Sequence, residues 1–191
     1  YGNTPTPKEI RTAINSMAYD KSPGQSGLST DMIQNLPPRA FNFYVKLIQQ
    51  FWSDPNTDFS SWHITLLKVL YKGKGDPQDP NNHRGIALKE MSAKVLSIVI
   101  AKCLLSRLKA IDPTSQFGRI GCQDALHTVK RALLLHQQHG LESYTIFVDL
   151  VKAFDTVHHD LLCQILCEYG LPPPIVQNVK KLYKNCRVKI K

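Results

Sequence analysis

The residues with the strongest potential for chemistry lie in positions 147–157, where Asp149 stands near the end of an almost wholly apolar run. Such a run, residues 144–150, is typical of a strand buried on both faces. An unpaired carboxylate is unfavourable there, because its charged form loses hydration. A bound Mg²⁺ would offset that loss, since Mg²⁺ prefers carboxylate and phosphate oxygens. The alternative is that Asp149 caps the next turn, and spacing alone favours this alternative at least equally.

Asp155 follows six residues later and is a less suitable partner for Asp149. If the chain stays extended, the two residues lie roughly 20 Å apart, whereas paired catalytic metals lie about 4 Å apart. We therefore expect Asp155 to cap the following helix. His158, His159 and Asp160 are adjacent in sequence and seldom converge on one ion, so His159 is expected to pack or to form hydrogen bonds.

The elements that would position these residues indicate an α/β fold in one unit. Residues 6–9, Thr-Pro-Lys-Glu, form a capping box with Pro at the first helical position. Gly170 is expected to end the helix that precedes it, residues 161–169. The helical periodicity predicts helices near residues 10–17, 29–51 (interrupted by Pro37-Pro38), 90–108, 124–139, 161–169 and 172–183. Strands are expected at residues 62–71, 84–88 and 144–150, the first two forming a hairpin across a basic turn.

The composition narrows the choice of partner and compartment. The net charge of +9 suits a polyanion such as nucleic acid, although a basic surface that only maintains solubility is an equal alternative. Five Cys without metal-ligand spacing indicate reduced thiols and an intracellular protein, in the cytoplasm or nucleus. Cys163 and Cys167 are expected to be small core residues. The sequence contains neither a signal peptide nor a long apolar run, and so gives no indication of a membrane.

Both ends of the sequence suggest a piece of a longer polypeptide. The chain opens on Tyr1 rather than Met, and it stops at Lys191 within a strand-like run.

Residues 147–157, Phe-Val-Asp-Leu-Val-Lys-Ala-Phe-Asp-Thr-Val, resemble the first catalytic motif of reverse transcriptases, in the form found in non-LTR retrotransposons and group II introns. His159 and Leu162 continue the similarity. Ser26 stands where the family usually has Asp. Further segments that resemble the family are residues 21–28, 71–76, 84–88 and 116–125.

The resemblance implies a fold of reverse-transcriptase fingers and the first part of the palm, helix-rich with a small antiparallel sheet. Residues 1–140 would be fingers-like and residues 141–191 would begin the palm. Asp149 would hold the catalytic Mg²⁺ (or Mn²⁺), with the Leu150 carbonyl as a second ligand. Arg84 and either Lys72 or Lys74 would hold the incoming triphosphate.

The same resemblance places Ala153 and Phe154 at the incoming nucleotide. The Phe154 ring would exclude a ribose 2′-OH and so select deoxynucleotides. A core aromatic at the start of a turn is the alternative for Phe154.

The partners implied are an RNA template, a DNA primer, deoxynucleoside triphosphates and the remainder of the polymerase polypeptide. Two-metal phosphoryl transfer needs more than one carboxylate, and the family supplies the others from an Asp-Asp hairpin. No Asp-Asp pair occurs in this sequence, so we expect the chain alone to be inactive. Two alternatives are a non-catalytic nucleic-acid-binding remnant of a reverse transcriptase and an oligomerisation or scaffold piece.

Overall fold

The computed structural model describes residues 3–54, 59–108, 117–118, 121–151 and 153–190. These residues form two compact units. The larger unit comprises residues 1–106 with 158–191, and the smaller unit comprises residues 107–157. The predicted boundary at residue 140 concerns functional regions of a polymerase and stays a prediction.

The larger unit begins with helix α1, Pro7–Asn15, which the predicted capping box starts. The Thr6 hydroxyl accepts a hydrogen bond from the Glu9 N–H at 3.2 Å, and the Glu9 carboxylate accepts one from the Thr6 N–H at 2.8 Å. These bonds satisfy donors that have no partner within the helix. The backbone bond from Thr6, and then the bond from its hydroxyl, hold the pKa of Glu9 below its ordinary value.

Helices α2, Thr30–Gln34, and α3, Pro38–Ser53, follow on either side of the predicted proline break. Pro38 occupies the first turn of α3, where its missing N–H costs nothing. The Gln34 amide donates to the carbonyls of Ile14 and Met17 at 3.1 and 3.0 Å, which fixes α2 against the end of α1. The predicted apolar stripe of α3 is buried and comprises Phe41, Tyr44, Val45, Ile48 and Phe51.

Three strands form one mixed sheet in the order β2-β1-β3. Strands β1, Ile64–Tyr71, and β2, His83–Leu88, form the predicted antiparallel hairpin. Strand β3, Arg187–Ile190, pairs parallel to β1, with Ile64 opposite Arg187. The α/β class and the helix-rich content are confirmed. The expectation of a purely antiparallel sheet is wrong, because the strand-like run near the end of the sequence joins the free edge of β1 in parallel.

The predicted start of the first strand at Trp62 is also wrong. A 3₁₀ turn, Ser60–His63, precedes β1. The Trp62 ring stacks on Phe51 with ring centroids 5.0 Å apart and lies 4.6 Å from Phe59. Because Trp62 packs in this aromatic cluster at the end of α3, the backbone does not become extended until Ile64.

Helix α4, Met91–Leu108, supplies much of the core of the larger unit through Met91, Val95 and Val99. Of the other apolar positions predicted for it, Ile98 is half-buried and Leu105 is exposed. The helix therefore presents its buried face mainly in its first half.

In the smaller unit, helix α5, Cys122–Gln138, covers most of the region predicted to be helical. The predicted strand at residues 144–150 is wrong: this segment has no regular secondary structure, and Tyr144 and Phe147 are 88% and 86% exposed. A buried strand must hydrogen-bond to neighbouring strands. Among the described residues of the smaller unit there is no strand with which this segment could pair.

Helices α6, His159–Glu168, and α7, Pro173–Tyr183, complete the larger unit. Gly170 ends α6 as predicted: it has φ 72°, its N–H bonds to the Cys167 carbonyl, and the Leu171 N–H bonds to that of Leu166. This pattern is a Schellman motif, in which glycine adopts the left-handed conformation without strain.

The prediction that Asp155 caps this helix is wrong. The cap is His158, whose side chain accepts from the Leu161 N–H at 3.4 Å, because α6 begins four residues after Asp155. Of the two cysteines predicted to be core residues, Cys163 is buried and Cys167 is exposed.

Helix α7 is held against the carboxyl end of α3 by polar side chains. The Lys181 amine donates to the carbonyls of Phe51, Trp52 and Asp54 at 2.8, 3.4 and 3.3 Å. The Asn178 amide also donates to the Trp52 carbonyl at 3.3 Å. These bonds satisfy carbonyls that have no partner within α3. Partial burial lowers the pKa of Lys181, and the nearby Asp54 opposes that effect.

The helices in the described ranges lack the combination of length and apolarity that crossing a bilayer requires.

Replacing Lys181 with Met tests the role of this amine. Lys181→Met keeps an unbranched side chain but leaves the α3 carbonyls without their donor, so the free energy of unfolding should fall by about 1–3 kcal/mol. Lys180→Met is the matched control, because Lys180 is exposed, and it should change the value by less than about 0.5 kcal/mol. Urea denaturation measures both. Equal effects would contradict the assignment.

The capping box should make stability depend on pH. Thr6→Ala should cost about 1 kcal/mol at pH 7. The folded-state pKa of Glu9 is lowered from 4.5, so its contribution is complete above that value and is lost as the pH falls through the folded pKa. The difference between wild type and Thr6→Ala should therefore narrow at pH 3. In a Glu9→Gln background, where residue 9 does not titrate, narrowing of the same size would argue against this cause.

Candidate functional site

The three predicted phosphate-binding residues lie on the β1–β2 hairpin. Arg84 pairs with Leu70 across the hairpin. The Lys72 N–H donates to the Asn82 carbonyl at 2.8 Å, which continues the ladder by one residue pair beyond Tyr71 and His83. Side chains two residues apart on a strand share a face. Arg84 and Lys72 are therefore diagonal neighbours on one face of the hairpin, while Lys74 lies in the connecting loop.

The loop is closed by its own polar groups. The Asn82 amide donates to the Asp76 carbonyl at 2.9 Å, and the Asp76 carboxylate accepts from the Gln78 N–H at 2.8 Å. Gly73 and Gly75 adopt φ values of 73° and 85°, which other residues rarely do. The loop thus has a defined backbone path that holds Lys74 between two glycines.

The two lysines of this loop differ in their hydrogen bonding. The Lys72 amine donates to the Asn81 carbonyl at 2.6 Å and so takes part in closing the loop. The side chains of Lys74 and Arg84 are exposed and make no hydrogen bond or ion pair with any residue that the structure describes. Of the two lysines between which the sequence could not choose, Lys74 therefore has the amine available to a phosphate.

The predicted metal ligand Asp149 lies in the smaller unit, in the exposed segment that precedes a turn at residues 153–156. Asp149 is exposed rather than buried, so the argument that burial demands a counter-ion does not apply to this structure. Leu150 is 70% exposed. The Asp149 carboxylate and the Leu150 carbonyl are oxygen donors of the type that Mg²⁺ prefers, but they are only two ligands. Among the described residues, no three His, Cys, Asp or Glu side chains form a group that could hold a metal ion.

The two predicted nucleotide-contacting residues, Ala153 and Phe154, lie within the turn. The Thr156 hydroxyl donates to the Ala153 carbonyl at 3.3 Å, which helps to fold the turn back on itself. Phe154 is 94% exposed. The alternative that Phe154 is a core aromatic is therefore not realised in the described residues.

The predicted site residues thus divide between the two units. Lys72, Lys74 and Arg84 belong to the larger unit, whereas Asp149, Leu150, Ala153 and Phe154 belong to the smaller one. Their convergence on one nucleotide stays a prediction. Lys152, Gln116 and Arg119, which carry part of the motif similarity, lie outside the described residues.

A buried carboxylate that the sequence did not single out joins the 21–28 segment to α4. The Glu90 side chain is 4% exposed and accepts from the Ser26 N–H at 3.1 Å, from the Ser26 hydroxyl and from the Met91 N–H at 3.2 Å. An acidic residue at a helix amino terminus was the signal that could have identified it. An Asp at position 26 would place a second negative charge beside Glu90 and repel it. The Ser found there instead donates hydrogen bonds to the Glu90 carboxylate.

Gly24 brings the same segment close to the backbone of α4. A Cβ atom at residue 24 would lie 2.7 Å from the Lys89 carbonyl oxygen and 2.9 Å from the Glu90 nitrogen. Only glycine allows this approach without a shift of the backbone. Burial also raises the pKa of the nearby Tyr44 to about 12, and the negative charge of Glu90 adds to the effect.

A second feature that the sequence analysis missed is an aromatic pair between α6 and α7. His159, predicted to pack or to form hydrogen bonds, stacks on Tyr183 with ring centroids 4.2 Å apart and an interplanar angle of 26°. The packing role of His159 is confirmed. The helical periodicity places Tyr183 at the end of a helix. Because Tyr183 lies 24 residues after His159, the local sequence gives no signal of the contact.

Comparison with known proteins gives consistent relatives, although no protein-family model matches the chain. The uncharacterized 149 kDa protein of transposon TX1 from Xenopus laevis is 27% identical over 95% of the chain. A probable RNA-directed DNA polymerase from transposon BS of Drosophila melanogaster is 26% identical over 80%. The RNA-directed DNA polymerase from the mobile element jockey of the same organism is 28% identical over 81%.

The chain spans only 14–17% of the length of these relatives. Within that span the similarity covers 80–95% of the chain. The chain is accordingly a relative of the reverse transcriptases, the RNA-directed DNA polymerases, of non-LTR retrotransposons.

Proposed function

We propose that the protein to which this chain belongs adds deoxynucleotides to a DNA primer on an RNA template. The observation that carries the proposal is the segment 147–157, with its Asp-x-x-x-Ala-Phe-Asp pattern, in a chain whose relatives include RNA-directed DNA polymerases. The predicted partners are an RNA template, a DNA primer and deoxynucleoside triphosphates.

The hairpin would hold the triphosphate of the incoming nucleotide. The Arg84 guanidinium can donate two parallel hydrogen bonds to phosphate oxygens, and the Lys74 amine adds a point charge from the adjoining loop. Lys72 supports this arrangement through the bond to the Asn81 carbonyl. Bound to the triphosphate, both cations would neutralise its negative charge.

Asp149 and the Leu150 carbonyl would contribute to a site for Mg²⁺ or Mn²⁺. A bound divalent ion supplies charge neutralisation and alignment in phosphoryl transfer. The remaining carboxylates must come from outside this chain's 191 residues, because the sequence contains no Asp-Asp pair. Completing the site therefore requires the remainder of the polymerase polypeptide.

A non-catalytic nucleic-acid-binding role is the second candidate. The missing Asp-Asp pair favours it for these 191 residues by themselves, and the net charge of +9 suits it. The two candidates differ in whether the complete open reading frame supplies the missing carboxylates.

Primer extension separates the two. The 191-residue chain should not extend a primer on RNA with Mg²⁺ or Mn²⁺, whereas the product of the complete reading frame should. Asp149→Ala should lower that activity by at least about a hundredfold, since even outer-shell partners of a metal cost 10–100-fold. Glu168→Ala is the matched control, because it removes an exposed carboxylate outside residues 147–157, and it should retain most of the activity. An inactive complete product with intact folding would support the non-catalytic role.

Phe154 should select the sugar in the complete enzyme. In the Phe154→Val product, ribonucleotide incorporation should rise relative to deoxynucleotide incorporation, because a smaller side chain leaves room for the 2′-OH. The ratio of the two kcat/KM values measures this selection. If Phe154 instead packs in a core once the polypeptide is complete, the variant should lose stability, losses for both sugars should be equal, and the ratio should not change.

A further inference from the structure

The groove between α6 and α7 has the chemistry of a single-strand binding site. It is a cavity of about 570 Å³ that is lined by His159, Cys163, Lys180, Tyr183 and Lys184, among others. All of these residues belong to the larger unit. His159 continues the similarity to the first catalytic motif, but the resemblance assigns no role in nucleotide binding to it or to the other groove residues named here.

The rings at this groove form a platform that is open to solvent. His159 and Tyr183 are stacked at 4.2 Å, and both side chains remain exposed, Tyr183 to 40%. Two rings that only fastened α6 to α7 would be expected to lie in the core, where aromatic side chains contribute most. An exposed stack can instead be extended by a further planar ring. Nucleobases stack on aromatic side chains in this way without regard to sequence.

Three lysines lie at the carboxyl end of α7, the last just after the helix ends. One of them bonds to α3, and the amines of the other two are available to a ligand. Lys181 donates to three carbonyls at the end of α3. The side chains of Lys180 and Lys184 are exposed, and their amines make no hydrogen bond or ion pair with the described residues. They lie one helical turn apart, with Cβ atoms about 5–6 Å from each other, and they flank Tyr183 along the helix. Two ammonium groups thus border the aromatic platform.

The charge around the groove favours an anionic ligand. Among the described residues that line it, Asp160 is the one acidic side chain, against Lys180, Lys181 and Lys184. The carboxyl end of α7 carries a partial negative charge, which disfavours anions. The positive charges of Lys180 and Lys181 in its last turn counteract this effect. A ligand with both a planar ring and a phosphate matches the rings and the amines together.

We propose that this groove binds single-stranded nucleic acid, with a base stacked on the His159–Tyr183 pair and phosphates at Lys180 and Lys184. The proposal takes nucleic acid as the partner from the proposed function, but it assigns a contact to residues other than those proposed to hold the nucleotide.

Fluorescence anisotropy of the 191-residue chain tests the proposal with two labelled probes, a 12-nucleotide oligothymidylate and an abasic strand of the same length and charge. Wild type should bind oligothymidylate about five- to a hundredfold more tightly than the abasic strand. Tyr183→Leu should remove this preference, and Tyr183→Phe should retain it. A preference that Tyr183→Leu leaves unchanged would overturn the stacking role.

The lysines are tested through the salt dependence of binding. The double variant Lys180→Gln/Lys184→Gln should lower the slope of log K against log salt by about 1.4, since each phosphate neutralised on a single strand contributes about 0.7. The matched control Lys8→Gln/Lys46→Gln removes two exposed lysines from α1 and α3 and should leave the slope unchanged. Because all four lysines are exposed, this test stands even where Tyr183→Leu fails to fold.

The outcomes separate this proposal from the proposed function. If wild type binds both strands and only Lys74→Gln/Arg84→Gln weakens binding, the groove proposal fails and the polymerase assignment stands. Absence of binding to either strand at low salt would count against both. Binding of oligoglutamate in place of either strand, lost in the Lys180→Gln/Lys184→Gln variant, would identify the groove as a site for an acidic polypeptide and would overturn the proposal.

Discussion

The carbonyls at the carboxyl end of α3, which have no hydrogen-bond donor within the helix, are the constraint on which the larger unit depends. A helix end that is partly buried needs donors, and here Lys181 and Asn178 supply them from well over a hundred residues later in the chain. Once α7 is fixed in this way, the chain that leaves it is placed beside β1, and β3 adds to the sheet in parallel. The position of α7 also sets the stack between His159 and Tyr183. One set of polar contacts therefore orders the helix pair, the third strand and the groove.

Features encoded by a few neighbouring residues could be predicted from the sequence. The capping box of Thr6 and Glu9, the break at Pro37-Pro38 and the glycine end of α6 each depend on contacts within one helical turn. The errors arose where distant contacts decide the outcome. Trp62 reads as a strand residue but joins an aromatic cluster. The apolar residues 144–150 read as a buried strand, yet burial requires neighbouring strands that local sequence does not reveal.

The sequence offered candidate site residues, whose roles stay predictions, but it did not reveal their contacts in the folded chain. The motif similarity identified Asp149, Phe154 and the basic hairpin, but it could not distinguish Lys72 from Lys74. That distinction depends on the closure of the loop, in which the Lys72 amine meets the Asn81 carbonyl. The local sequence also did not indicate the role of Glu90, because that role depends on a distant contact. Its importance comes from Ser26, which lies 64 positions earlier and reaches it only in the folded chain.

The larger unit is assembled from two stretches of sequence, residues 1–106 and 158–191, with the smaller unit between them. Its two stretches are joined by the β1–β3 ladder and by the bonds from α7 to α3, none of which needs the intervening peptide to be continuous. The exposed backbone of residues 141–150 offers the kind of substrate that proteases cleave first. A single cut there would yield two polypeptides on a denaturing gel that still migrate as one particle under native conditions. The same arrangement would allow the two stretches to be produced as separate chains and to reassemble on mixing.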